Sequence, residues 1–164
     1  MSDISHDQLD VARVWRMMAE IKICMLVTHD GAALRARPME ACVREQENAV
    51  YFLTERESPK HQQIGEDDHV CLAFATPNEG KFLSVSGEAR LLNDRPLIRA
   101  LWKPEYQAFW RGPEDPAVLV LEVVPAEAQL WRRPGGLVGA VGMIAARAMG
   151  ELPELGDERK VDLH

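Results

Sequence analysis

The residues best equipped for chemistry lie between Leu34 and Lys60: Arg35-Ala36-Arg37-Pro38-Met39, then Tyr51-Phe52-Leu53-Thr54, then Ser58-Pro59-Lys60. Guanidinium, hydroxyl and ammonium groups gathered this way suit one task, holding a phosphate beside an apolar wall. Ser58 is a good N-cap, because its hydroxyl can accept from the free backbone N–H groups of a helix's first turn. Pro59 suits the first helical position, where the missing N–H costs nothing and φ is already set. Lys60 then stands in the first turn, where a cation opposes the helix dipole. That local penalty, with N–H groups aimed outward, marks a place for an anion. The plainer alternative is a surface lysine on a short helix.

The arginines need a strand to present them. In a regular strand Arg35, Arg37 and Met39 share one face, while Ala36 and Pro38 take the other. Proline inside a strand implies an edge or a bulge, so the alternation can slip by one after Arg37. The competing reading is an edge strand with solvated arginines. Ser5 or Asp7 can cap a first helix, and Leu9, Ala12, Trp15 and Met18 repeat along it at helical spacing. A strand from Ile23 to Thr28 turns at His29-Asp30-Gly31 and returns as Ala32 to Val43. Ala49 to Thr54 follows, then the helix opening at Pro59. His69 to Thr76 and Phe82 to Leu92 flank the turn Pro77-Asn78-Glu79-Gly80. Asp94 and Pro96 open a helical region, which Lys103-Pro104 interrupts before a further helix from Glu105 to Arg111. The last strands are Ala117 to Val124 and Ala128 to Arg132, broken by Pro125. This succession predicts a mainly β fold, a closed or nearly closed antiparallel barrel with peripheral helices. Residues 1–150 read as one domain and 151–164 as an acidic, loosely held tail.

The order and spacing of several short motifs resemble one family. They are Ala36-Arg37-Pro38-Met39, Tyr51-Phe52-Leu53-Thr54, Ser58-Pro59-Lys60, Val85-Ser86-Gly87-Glu88-Ala89, Leu101-Trp102-Lys103-Pro104 and Trp131-Arg132-Arg133-Pro134-Gly135-Gly136. Together they resemble the general stress protein branch of the pyridoxamine 5′-phosphate oxidase-like, FMN-binding split-barrel superfamily. The resemblance implies an antiparallel split barrel with FMN as cofactor, and an open groove could also admit the adenylate of FAD. It implies that Arg37, Thr54, Ser58 and Lys60 hold the flavin phosphate. Pro38, Met39, Phe52 and Leu53 would offer backbone and apolar contacts to the ribityl chain and isoalloxazine. A basic residue often precedes the lysine in that superfamily, and here Pro59 stands there, so the clamp is one charge lighter. The resemblance further implies a homodimer with flavin between subunits, completed by Trp102 and Trp131 from the second subunit. The apolar run from Ala117 to Val124 is the expected shared surface.

Bulk properties exclude several classes. A chain of 164 residues suits one domain of ordinary core size. A formal net charge of −7 argues against a nucleic-acid partner, which needs a basic patch or stripe. No basic region precedes an apolar run at the start, so no secretory signal is expected. The longest mainly apolar stretch, Leu137 to Met149, is shorter than the roughly 20 residues needed to span a bilayer. Cys24, Cys42 and Cys71 lack CxxC spacing and read as small buried hydrophobes in a reducing, cytoplasmic compartment. His29, His61 and His69 do not pair at ligand spacing, so no metal centre is expected. The run Gly135 to Gly142 lacks the GxGxxG spacing of a dinucleotide loop.

Three functional readings stand at this level: a flavin-dependent oxidoreductase of small molecules, a flavin-binding or flavin-buffering stress protein without turnover, and a barrel that has lost its cofactor. Pyridoxamine 5′-phosphate oxidase chemistry fits less well, because the chain past Trp131 is short and ends acidic. No general acid or base accompanies the motif residues, and flavin chemistry does not require one.

Overall fold

The computed structural model describes residues 6–133 and 157–163. The expected cap at Ser5 and the glycine-rich run from Gly135 lie outside them. Helix α1 (His6–Ile21) is followed by strands β1 (Ile23–Asp30), β2 (Ala33–Glu40), β3 (Cys42–Arg44) and β4 (Ala49–Glu55), then helix α2 (Pro59–Glu66). Next come β5 (His69–Thr76), β6 (Lys81–Leu92), helix α3 (Arg95–Leu101), β7 (Val118–Arg132) and β8 (Asp157–Asp162).

All pairings are antiparallel, in the order β2-β1-β5-β6-β7-β4-β3, with β8 added beside β7. The two ends of this path, β2 and β3, are consecutive in the chain and joined through Ala41, so the sheet curls back on itself. Closure is incomplete. β3 pairs only Ala49–Tyr51 of β4, and the rest of β4, from Phe52 to Glu55, is bonded to β7 on one side alone. A gap between β2 and the end of β4 splits the barrel, and α2 stands directly after it in the chain.

The barrel interior holds Leu26, Phe52, Leu72, Phe74, Leu83, Val85 and Leu121, and α1 adds Val14, Trp15 and Met18. Each such side chain contributes roughly 1.5–3 kcal/mol on burial. A second apolar cluster outside the wall joins Tyr51, Leu53, Val118 and Val120 to Ile98, Leu101 and Tyr106. β7 is therefore buried along Val118–Val123, which explains a run that is apolar except for Glu122, paired with Arg90. Val118–Val123 is thus core of the single chain, while Val124 at the end of the expected shared surface is exposed.

Three further expectations change. Pro125 does not break the last strand: the β6–β7 register shifts between Ser86 and Gly87, and β7 continues to Arg132. A Cβ on Gly87 would stand 2.4 Å from the Val124 carbonyl oxygen, so glycine permits this close bulge. The helix expected from Glu105 to Arg111 is a 3₁₀ turn over Pro104–Ala108. Finally, the tail expected to hang loose forms β8 in its described part, with Val161 and Leu163 buried. Its charged residues pair along the β7 edge, while Val161 and Leu163 reach the core. Asp94 caps α3 as expected, its Oδ1 accepting from the Leu97 N–H at 3.0 Å.

Candidate functional site

β2 is an edge strand, and its register with β1 runs unbroken from Ala33 to Glu40, so Pro38 introduces no slip. Its edge position accommodates the proline's missing donor. Arg37 faces Leu26 and Met39 faces Cys24, both buried, which turns Arg37 and Met39 toward the barrel interior. Arg35 is outside this site, paired on the surface with Asp30 at 2.9 Å.

Arg37 is aimed by two buried groups. Its Nη1 donates to Thr28 Oγ1 at 2.9 Å and its Nη2 to Gln63 Oε1 at 2.8 Å, while the Thr28 hydroxyl donates to the same Gln63 oxygen at 2.7 Å. Burial lowers the Arg37 pKa, partly offset by Asp30. Across the mouth, Lys60 is only 9% exposed, which removes the surface-lysine reading. Its Nζ donates to Ser58 Oγ at 2.6 Å. Burial pulls its pKa below the lysine norm, the Arg37 charge pulls it further, and Glu55 opposes them. Two cations therefore feel each other, and neither makes an ion pair with a carboxylate among the described residues.

Ser58 departs from its expected role. Its hydroxyl serves Lys60 and does not cap the helix, so no side chain satisfies the first turn of α2. Buried side-chain polar atoms without a partner among the described residues are Thr54 Oγ1 and His61 Nε2, both in the same short stretch. Burial and the neighbouring Lys60 lower the His61 pKa. Unpartnered buried polar atoms are rare in native proteins, so their clustering here is informative. Two cations and an unpartnered hydroxyl beside a helix start suit a dianion.

The apolar residues are distributed unevenly. Met39 is half-buried against the core, and Pro38 is exposed. Phe52 is wholly enclosed in the barrel and Leu53 belongs to the outer cluster, so the groove meets them through the free backbone edge of β4. Trp102 packs edge-on against Tyr106 with centroids 5.8 Å apart. Trp131 faces Phe82 and Glu158 across its neighbouring strands. Neither tryptophan joins the described contacts of the cradle within one chain.

Sequence reasoning passes over Thr28 and Gln63. The alternation Cys24, Leu26, Thr28 places a hydroxyl on the inner face, and Gln63 stands one turn beyond Lys60 on α2; these were the available signals. It also passes over Glu40, just beyond Met39, which accepts from Lys103 Nζ and from Tyr106 Oη at 3.1 Å. The Lys103 hydrogen bond holds the Glu40 carboxyl below its usual range. No sequence spacing links these residues, because the segment after α3 brings them together.

The strand pairing defines an antiparallel split barrel with an open seam along the end of β4. Comparison with known proteins agrees: residues 9–154 match the family described as pyridoxamine 5′-phosphate oxidase like, and the chain belongs to that family. It is 30% identical over 140 residues to protein bli-3 of Neurospora crassa, a match covering 78% of this chain and 67% of that protein. It is 25% identical over 84 residues to general stress protein 26 of Bacillus subtilis, covering 49% of this chain and 60% of that one. The crystal structure of the general stress FMN/FAD binding protein from Xanthomonas citri superposes with a TM-score of 0.68 at 25% identity, covering 76% of this chain and 89% of that chain.

Proposed function

We propose that the chain is a flavin-binding protein of the general stress type, with FMN in the seam between β2 and β4. The observation that carries this reading is the cradle: Arg37 and Lys60 lack carboxylate partners, and Thr54 Oγ1 and His61 Nε2 lack any partner among the described residues. A phosphate satisfies the cations and the threonine together. Arg37 and Lys60 would bind it by charge-assisted hydrogen bonds, Thr54 and Ser58 would orient it, and Thr28 and Gln63 would hold the arginine fork in place. The free backbone of Phe52–Glu55 would face the ribityl chain, and Met39 and the β2 edge would face the ring. FMN is the fit for a cradle built around a terminal phosphate; the open seam leaves room for FAD, and a relative bears both in its name.

Bound there, the flavin supplies hydride and electron transfer, and the protein contributes position and electrostatics. We therefore propose redox activity toward a small molecule admitted beside the ring. An exposed apolar face supports assembly as a homodimer. Ile23 and Met25 are 54% and 40% exposed, and they lie in register with Pro38, Ala73 and neighbouring residues on an outer face no described helix covers. A twofold dimer would cover that face, and the partner's tryptophans would complete the groove. The test is the visible spectrum of the purified protein, with identification of the flavin released on denaturation. A yellow protein releasing FMN supports the reading; a colourless one that takes up neither FMN nor FAD overturns it.

A further inference from the structure

We propose that His29, Asp67, Asp68 and His69 form a binding site for a divalent transition-metal ion of the zinc class at the C-terminal end of α2. Asp67, Asp68 and His69 are consecutive in the chain, and strand pairing brings His29 beside them. The β1–β5 register sets Thr28 opposite Val70, which brings His29 and His69 to the next facing position, and both line one surface cavity. Asp67 sits between them, with Oδ2 at 3.9 Å from His29 Nε2 and Oδ1 at 3.0 Å from His69 Nδ1. Asp68 Oδ1 lies 3.2 Å from the same His69 nitrogen. Donor atoms of Asp67, Asp68 and His69 all fall within 4.8 Å of one another.

The separations among Asp67, Asp68 and His69 match a common centre, and His29 approaches it beside Asp67. Two ligands at about 2.0–2.1 Å from a tetrahedral zinc stand roughly 3.4 Å apart. Two imidazoles and two carboxylates form a mixed nitrogen–oxygen set suited to zinc and its neighbours and poorly suited to calcium or magnesium, which take oxygen. The site is partly organised already, since the His69 backbone N–H donates to Asp67 Oδ1 at 3.0 Å. Independent support comes from the helix. Asp67 is the C-cap of α2, its N–H bonded to the Gln63 carbonyl, so the negative end of the helix dipole points at the ligands and favours a cation. Glu88, facing His69 on β6, adds negative potential. An ion here would replace the proton shared by His69 and Asp67 and anchor the helix whose other end carries Lys60.

The test uses flavin-free, metal-stripped full-length protein, titrated with Zn²⁺ by calorimetry and with Co²⁺ by absorbance. One ion per chain in the micromolar range is expected, weakened about tenfold or more by either His29→Ala or His69→Ala, with unchanged circular dichroism. The cobalt spectrum should lack a thiolate charge-transfer band. No binding up to millimolar zinc, binding unchanged in the double variant, or a thiolate band pointing to cysteine would each overturn the proposal. Failure here leaves the flavin reading standing, because no flavin enters the experiment.

Discussion

Lys60→Met separates the work of the cradle from the work of the fold. Lys60 is 9% exposed, and among the described residues its ammonium bonds the Ser58 hydroxyl and pairs with no carboxylate, so the flavin-free protein holds a desolvated cation there. Methionine keeps the apolar stem and removes that charge. The variant should unfold within about 0.5 kcal/mol of the wild type, or above it, since the loss of an unpaired buried charge offsets the lost hydrogen bond. Affinity for FMN should fall far more. A hydrogen bond to a charged group contributes about 1.5–3 kcal/mol, which is roughly ten- to a hundredfold in Kd. Fluorescence titration with FMN and with riboflavin, alongside urea melts, reads both quantities. Riboflavin lacks the phosphate and should bind wild type and variant about equally. Equal weakening of riboflavin and FMN would mean that the lysine shapes the pocket, and the phosphate assignment would be wrong.

Other outcomes follow from the same geometry. Gly87→Ala drives a Cβ to 2.4 Å from the Val124 oxygen and should cost on the order of 1–3 kcal/mol in urea melts; unchanged stability would show a bulge able to relax. Because the folded pKa of Lys60 is lowered, the unfolded chain binds more protons there between that value and the ordinary 10.5. Stability of the flavin-free protein should therefore rise with pH through that alkaline window, and Lys60→Met should remove that increment. Met25→Glu places a charge on the exposed apolar face and should give monomers in light scattering with weaker FMN binding; dimers of unchanged mass would place the interface elsewhere.

Much of this arrangement was legible in the sequence, and the limits have physical causes. Pro59 and Lys60 mark the start of α2, and alternation along β2 sets Arg37 and Met39 on one face, because both are local properties of the backbone. The partners that aim Arg37 were not legible: Thr28 and Gln63 reach it through strand pairing and helix docking. The Ser58 hydroxyl was read as a cap on local grounds, but a buried lysine nearby competes for it and wins. Pro125 looked like a strand end because a proline lacks a donor, and only the facing Gly87 shows how a bulge absorbs it. The run from Ala117 to Val124 reads as a shared surface from its apolar residues alone; that Val118 and Val120 pack on Ile98 and Leu101 of α3 depends on tertiary contact. Asp157–Asp162 is too polar to announce a strand and is held by the edge it pairs with.

The most direct test of the central claim is titration of flavin-free protein with FMN, followed by fluorescence quenching. Saturation at one FMN per chain, with affinity lost on replacing Arg37 and Lys60 together while the fold is retained, is the predicted result. Absence of quenching at micromolar protein, or unaltered FMN affinity in the folded double variant, would contradict the account.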